Sequence, residues 1–179
     1  MHISVYEFNK RCIPIYWPND KAILEVGSFN VNGSIRPDVE KHNPVCYIGT
    51  DMRPGPMVDV VVNICDLVPE FGVARFDVVL CTEVMEHVED WAEGISQMLE
   101  VLKPNGYLMI TTRSAGFPKH DFPNDYWRYT KEDMQAIFAT QEIVILEDDY
   151  DPASPGVFVL VKKTGPVEDI SHLTIASVE

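Results

Sequence analysis

The sequence predicts an α/β fold: a doubly wound, mostly parallel sheet of seven strands that ends in an antiparallel strand pair. Two observations predict it. Short apolar runs alternate with helix-compatible segments through most of the chain, which is typical of βαβ units joined by right-handed crossovers. The last two runs, residues 142–146 and 156–161, are joined by a turn region rich in Asp, Pro and Ser, which favours a hairpin.

The other strands follow from the apolar runs in chain order. They occupy residues 22–27, 45–51, 58–63, 76–81 and 107–112. Only six residues separate the second strand from the third, too few for a crossover helix. We therefore expect one helix of the regular array to be reduced to a loop. Residues 1–21 form a lead-in segment that packs across the ligand mouth or sheet edge, or simply covers the core.

The most regular helix is predicted directly after Thr82 and is stopped by residues 103–106. Its apolar positions recur at three- and four-residue steps and share one face: Val84, Val88, Trp91, Ile95, Met98, Leu99 and Leu102. Residues 34–41 are a short helix candidate, and Thr130 opens a capping box before another helix. Residues 1–164 make one domain, and residues 165–179 are an acidic tail that we expect to be loosely ordered.

Composition limits the classes of partner. The chain carries 28 acidic and 14 basic residues, a net charge of −14, which disfavours nucleic acid as a free-standing substrate. No apolar stretch approaches the roughly 20 residues that span a bilayer, and no signal peptide is recognisable, so we expect a cytoplasmic protein with no membrane partner. A partner subunit or homodimer remains open. The four cysteines form no C-x-x-C pair, which favours buried, reduced thiols.

Ligands of doubly wound sheets bind at the carboxyl ends of the strands, so residues there should converge. The first strand carries Glu25 near its end and breaks at Gly27, where the turn should leave bare backbone N–H groups. An acid there suits a ligand with an amine or hydroxyl and repels a phosphate. The alternative is that Glu25 is half of a buried structural pair.

The strand ends resemble the motif series of class I S-adenosylmethionine-dependent methyltransferases, specifically the type 11-like group near the ubiquinone and menaquinone methyltransferases. Five stretches carry the resemblance: Leu-Glu-Val-Gly-Ser at 24–28, Tyr-Ile-Gly-Thr-Asp at 47–51, Val-Asp-Val-Val-Val-Asn-Ile at 58–64, Phe-Asp-Val-Val-Leu-Cys-Thr-Glu-Val-Met-Glu-His-Val at 76–88 and Val-Leu-Lys-Pro-Asn-Gly-Tyr-Leu at 101–108. The sequence departs from the family where Phe29 and Val31 replace usual glycines and where Asn63 replaces a common aspartate.

The resemblance implies a Rossmann-like fold that binds S-adenosyl-L-methionine. Asp51 would bind the ribose hydroxyls and Asn63 the adenine amine, while Asn30 and Asn32 are available for left-handed backbone in the first turn. The residues implied to bind the cofactor are Glu25, Gly27, Ser28, Asn32, Gly33, Asp51, Met52, Asn63, Ile64, Thr82 and Glu83. For Glu83 the alternative is a purely electrostatic role at a helix N-terminus.

The segment after the fifth strand, residues 113–129, lies where this family builds its acceptor-binding surface. Its candidate acceptor contacts are Arg113, Tyr126, Trp127 and Arg128. His120 is the first candidate base and His87 the second. The alternatives are a loop pinned by aromatics on the core and a capping or core role for His87. No His, Cys or Asp grouping has metal-ligand spacing, so we expect no metal.

The function that these features imply is methyl transfer from S-adenosylmethionine to a small-molecule or sugar-like acceptor. The acceptor atom would be oxygen or nitrogen, and the methyl would move by in-line displacement. One alternative is a non-catalytic methyltransferase-like module that binds the cofactor or stabilises a partner. Another is a nucleotide-binding oxidoreductase, which is disfavoured because the G-x-G-x-x-G pattern is absent.

Overall fold

A computed structural model describes residues 2–17, 19–120 and 123–178. Its helices are α1 (Ile3–Tyr16), α2 (Arg36–Glu40), α3 (Leu67–Phe71), α4 (Trp91–Val101) and α5 (Lys131–Ile137). The strands of the main sheet are β1 (Ala22–Val26), β2 (Cys46–Asp51), β3 (Val60–Val61), β4 (Phe76–Thr82), β5 (Leu102–Arg113), β7 (Glu142–Asp148) and β8 (Gly156–Lys162). Two short strands, β6 (Trp127–Arg128) and β9 (Ala176–Ser177), pair separately.

The main sheet has the strand order β3-β2-β1-β4-β5-β8-β7. Neighbours from β3 to β5 run parallel, whereas β8 is antiparallel to both β5 and β7. The predicted doubly wound sheet with its antiparallel pair is confirmed. Residues 52–59, which join β2 to β3, contain no helix, so one crossover is reduced to a loop as expected.

The helices cover both faces of the sheet, because alternate side chains of a strand point to opposite faces. On one face α1 and α2 bury Ile23, Val78 and Leu80. On the other, α3, α4 and α5 bury Leu24, Val79 and their neighbours. Strands buried on both faces explain why β4 and β8 read as continuous apolar runs.

The lead-in segment is a helix that serves as core cover. Val5, Phe8 and Cys12 of α1 are buried against the sheet, and the ring of Phe8 lies 5.2 Å from that of Phe158 in β8. This helix was not predicted from the sequence, because Pro14 lies inside it and no side chain caps its N-terminus. All four cysteines are free thiols. No helix within the described ranges has the length and hydrophobicity needed to cross a membrane.

The predicted start of the central helix, directly after Thr82, is wrong. α4 begins only at Trp91, where the Asp90 side chain accepts a hydrogen bond from the Glu93 N–H. Before it, the chain makes a 3₁₀ turn from Met85 to His87 and Val88 is extended. The apolar spacing continued the helix too far because these residues pack against the same core without being helical.

The C-terminal segment packs against the domain. Ile175 is buried, Val167 and Leu173 lie against the core, and β9 pairs with β6. These contacts differ from the loosely ordered tail that we expected, because the few apolar residues are too widely spaced to form a recognisable pattern. The capping box at Thr130 is confirmed: its hydroxyl accepts from the Asp133 N–H, and the Asp133 carboxylate accepts from the Thr130 N–H.

Truncating a buried side chain of α1 tests its role as core cover. We expect Phe8→Ala to lower the free energy of unfolding by about 3–5 kcal/mol, the usual cost of a large aromatic cavity. Ile15→Ala, at a position 64% exposed on the same helix, is the control and should change it by less than about 0.5 kcal/mol. Equal effects in urea unfolding would contradict this assignment.

Candidate functional site

A cavity of about 440 Å³ opens at the carboxyl ends of β1 to β4. Acidic side chains (Asp51, Glu83, Glu89 and Asp90) outnumber the one arginine on its wall. The remaining lining residues are mostly apolar or amide: Val26, Gly27, Phe29, Val31, Thr50, Met52, Arg53, Val62, Asn63, Ile64, Cys65, Val84, His87, Val88, Pro123, Asn124 and Tyr126. An apolar cleft with an excess of carboxylates suits a ligand that carries positive charge.

The turn after β1 depends on Gly27. Its φ of +77° lies in the left-handed region, and a Cβ there would stand 2.1 Å from Cγ2 of Val84. The expectation of bare N–H groups at this turn is wrong, because the N–H groups of Gly27 and Ser28 both donate to the Thr50 carbonyl. Neither Asn30 nor Asn32 adopts positive φ, whereas Gly33 does, with its N–H donating to Asn30 Oδ1. Gly27 therefore shapes the cavity wall.

Glu25 belongs to a buried structural pair. Its Oε2 accepts a 2.7 Å hydrogen bond from the Tyr47 hydroxyl, and it does not line the cavity. Burial raises the pKa of Glu25, although the Tyr47 bond opposes the shift. Among the other residues implied to bind the cofactor, the following also lie off the cavity wall: Ser28, Asn32, Gly33 and Thr82.

The carboxyl ends of β2 and β3 reach the cavity, as expected for a ligand site in a doubly wound sheet. Asp51 is half-buried there beside the exposed Met52. Asn63 and Ile64 follow β3, and Asn63 Oδ1 already accepts from the Cys65 N–H. That oxygen keeps a second lone pair, since an amide carbonyl can accept twice. Asp51, Met52, Asn63 and Ile64 therefore share one wall.

Glu83 follows β4 in a strained conformation, with φ of +59°. Its N–H donates to the Thr111 carbonyl, and its carboxylate accepts from the Thr111 hydroxyl and pairs with Arg113. Non-glycine residues hold such backbone only where surrounding contacts enforce it, often at functional sites. The role of Glu83 at a helix N-terminus is excluded, because α4 starts eight residues later, at Trp91.

Arg113 lies beneath this region and not on the cavity wall. Its guanidinium is 1% exposed, pairs with Glu83, lies 3.5 Å from Asp149 and donates to Ser154. Burial lowers its pKa to about 10, although Asp149 raises it. The predicted direct contact with an acceptor is not seen for Arg113, because a side chain this deeply buried cannot reach the cavity.

The aromatic segment after β5 is partly pinned and partly exposed to the cavity. Trp127 Nε1 donates to the Val88 carbonyl and the Tyr129 hydroxyl to the Met85 carbonyl, so both fix the 3₁₀ turn. Tyr126 lines the cavity, whereas Trp127 and Arg128 do not. Arg128 instead forms a bidentate pair with Asp125. Phe122, also in this segment, lies outside the described residues.

The most unusual grouping brings together Glu86, His87 and His120, whose ligand-capable atoms all lie within 4.8 Å of one another. Glu86 is fully buried, and burial raises the pKa of its carboxyl. The rings of His87 and His120 meet edge to face, 4.8 Å between centroids. His87 lines the cavity, whereas His120 does not. Sequence spacing missed this cluster, because His120 joins it only through the fold of the loop.

Comparison with known protein families decides the identity of the fold. The methyltransferase domain family matches residues 3–142 of the chain. The chain belongs to this family. The match spans α1 through the start of β7, and so includes every strand that borders the cavity. The expected resemblance to class I methyltransferases is confirmed.

Two similar proteins illustrate the extent of the likeness. The mitochondrial ubiquinone biosynthesis O-methyltransferase of Schizosaccharomyces pombe is 49% identical over 39 residues, which cover 22% of this chain and only 14% of that protein. The 1,6-didemethyltoxoflavin-N1-methyltransferase of Burkholderia thailandensis, solved with S-adenosylhomocysteine, superposes with a TM-score of 0.73 at 14% identity, covering 89% of this chain and 78% of that one.

A third relative occurs in an assembly. A chain in the complex of the Haloferax volcanii Trm112 methyltransferase activator with a methyltransferase superposes with a TM-score of 0.72 at 13% identity. The superposition covers 92% of this chain and 90% of that one. At this identity the likeness concerns the methyltransferase fold.

Substituting Gly27 tests whether the cavity depends on the contact with Val84. We expect Gly27→Ala to cost at least about 1 kcal/mol more in unfolding free energy than Gly116→Ala, because overpacking adds to the left-handed strain. Gly116 is the matched control: its φ is also positive, but an added Cβ would meet Pro155 at an ordinary 3.6 Å. Thermal unfolding of the two variants measures the difference, and equal losses would contradict the prediction.

Proposed function

We propose that the chain binds S-adenosylmethionine in the acid-lined cavity and transfers its methyl group to a small-molecule or sugar-like acceptor at oxygen or nitrogen. The observation that carries the proposal is the position of Asp51, at the end of β2 on the wall of a cavity rich in carboxylates. The cofactor is cationic at its sulfonium and amino groups, so this wall attracts it.

The cavity offers groups that suit each part of the cofactor. Asp51 can accept from the two ribose hydroxyls, and the free lone pair of Asn63 Oδ1 can accept from the adenine amine. Apolar Ile64 and Val88 border the same space and suit the flat adenine ring. Phe29 and Val31, in place of the family's usual glycines, narrow the cavity beside the first turn.

Methyl transfer to a hydroxyl requires that its proton be taken up. We assign this to the histidine pair: His87 Nδ1 contacts the Asn124 carbonyl, and His120 Nδ1 lies 3.0 Å from Asp125 Oδ2. Because an oxygen partner favours N–H at Nδ1, Nε2 of each ring keeps its lone pair. Tyr126 on the cavity wall is the proposed acceptor contact, and the chain itself mainly positions the reactants.

The alternative is a methyltransferase-like module that binds the cofactor without turnover or stabilises a partner. The activator complex formed by a protein of the same fold supports a partner subunit, and a homodimer is also proposed. A cytoplasmic location remains a prediction. Cofactor-dependent release of S-adenosylhomocysteine, screened over phenols, amines and sugars, separates the enzyme from the module: binding without turnover on any of them would favour the module.

Asp51→Asn tests the cofactor site. We expect the chain to bind S-adenosylhomocysteine in calorimetry and Asp51→Asn to weaken the binding about tenfold or more, since hydrogen bonds to a charged group contribute about 1.5–3 kcal/mol. Glu168→Gln, an exposed acid away from the cavity, is the control. Failure to bind S-adenosylhomocysteine at millimolar concentration would overturn the proposal, and binding of NAD instead would favour the oxidoreductase.

Substituting the histidine pair tests the proton-transfer assignment. His87→Gln and His120→Gln should each lower kcat/KM for a hydroxyl acceptor about 100-fold or more, since general base catalysis contributes on that scale. Binding of S-adenosylhomocysteine should be unchanged. His172→Gln, at an exposed histidine elsewhere, should retain full activity. Unchanged kcat/KM in both the His87→Gln and the His120→Gln variant would remove the assignment.

A further inference from the structure

We propose that Glu86, His87 and His120 form a binding site for a divalent transition metal, of which Zn²⁺ is the best match. Two histidine nitrogens and one carboxylate oxygen are the ligand types that zinc takes in proteins. The three residues come from two separate segments, the 3₁₀ turn after β4 and the loop after β5. The site is thus a product of the fold and has no signature in the linear sequence.

The outer contacts of both histidines match those of metal ligands. A histidine that binds a metal through one ring nitrogen generally donates from the other to a carbonyl or carboxylate. His87 Nδ1 contacts the Asn124 carbonyl, and His120 Nδ1 lies 3.0 Å from Asp125 Oδ2, with an alignment short of a full hydrogen bond. In both rings Nε2 is the atom left for a cation, and both Nε2 atoms face Glu86.

Asp125 is itself held firmly. It accepts a bidentate pair of hydrogen bonds from Arg128, at 2.6 and 2.7 Å, and another from the His120 backbone N–H. The carboxylate beside His120 is therefore fixed in position, as expected of a group that orients a ligand.

Glu86 supplies an independent observation. Its side chain is fully buried, and Oε2 accepts a 2.8 Å hydrogen bond from the Thr112 hydroxyl. Oε1 has no hydrogen-bond partner among the residues that the structure describes. Oε1 lies 4.0 Å from Nε2 of His87 and 4.0 Å from Nε2 of His120. A buried carboxylate oxygen without a partner is costly. A cation between these three atoms would satisfy it.

The three ligand atoms lie slightly too far apart to bind one metal ion without movement. Atoms bound to Zn²⁺ at 2.0–2.2 Å in a tetrahedron lie about 3.4 Å apart, so the ligand atoms must approach by roughly 1 Å. The His120 side chain is 38% exposed and can make this movement, whereas Glu86 is locked by Thr112. Three protein ligands leave one position for water or an acceptor oxygen, which is the pattern of catalytic zinc sites.

A metal here would take over the proton chemistry assigned to the histidines, a role that rests on the proposed function. A bound cation lowers the pKa of a coordinated hydroxyl, so an acceptor oxygen held at the metal could release its proton to solvent water. His120 Nε2 would then act as a ligand and not as a base. Binding of the metal itself does not depend on methyl transfer, which allows the two proposals to be tested separately.

The test uses Co²⁺ as a coloured substitute for Zn²⁺. The chelator-treated chain is titrated with Co²⁺ while its visible d–d absorption is recorded, and Zn²⁺ is then added as competitor. We expect one saturable site that Zn²⁺ displaces, with at least tenfold weaker binding in Glu86→Gln, His87→Gln and His120→Gln. Asp125→Asn, which loosens an orienting contact, should weaken it about 10- to 100-fold.

Two control variants distinguish metal binding at this site from binding at another histidine or at a cysteine. His172→Gln should bind Co²⁺ like the unaltered chain, and Cys65→Ser should do so as well, with no thiolate charge-transfer band in either. Circular dichroism confirms that each variant is folded, and Glu86→Gln is chosen because it can still accept from Thr112. Absence of Co²⁺ binding, or binding that none of the three ligand variants weakens, would overturn the site. Titration of S-adenosylhomocysteine into the same samples reports on the proposed function independently.

Discussion

The architecture of the site depends on the ion pairs and hydrogen bonds made by the buried guanidinium of Arg113. This guanidinium holds the carboxylates of Glu83 and Asp149 and the oxygens of Ser154, and so ties the end of β4 to the β7–β8 connection. Asp149 in turn accepts from the Ser4 hydroxyl, which anchors the start of α1. A buried charge that lost such a partner would be strongly destabilising. The network holds the side chain of Glu83, a residue with positive φ, at the cavity wall.

Much of the fold follows from apolar periodicity alone. The strands of the parallel sheet were predicted because strands buried on both faces read as continuous apolar runs, and the acids at their ends, such as Asp51, fell on the cavity as parallel topology requires. α1 escaped prediction because Pro14 and an uncapped start disguise it. The start of α4 was predicted too early, because residues that pack against the core can show helical spacing without being helical.

The residues of the site also differ in how well the sequence predicts them. Residues fixed by strand topology could be placed from sequence, whereas side-chain partners could not. Glu25 proved to be satisfied by Tyr47, and Arg113 by Glu83 and Asp149, because a partner from a distant strand or loop is invisible in a linear pattern. The same limit concealed the cluster of Glu86 with His87 and His120. A ligand-binding role can therefore be assigned to a charged residue near a cavity more safely once its side-chain partners are known.

The position of β8 has a consequence for how the chain folds. β8 lies between β5 and β7 in the sheet, and its Phe158 and Leu160 provide part of the surface on which α1 packs. The apolar face of α1 is therefore fully covered only after β8, which is synthesised much later, has joined the sheet. Contacts so distant in sequence slow folding and leave apolar surface open to aggregation while synthesis proceeds. Nascent chains that stop before β8 would need a chaperone to keep that surface protected.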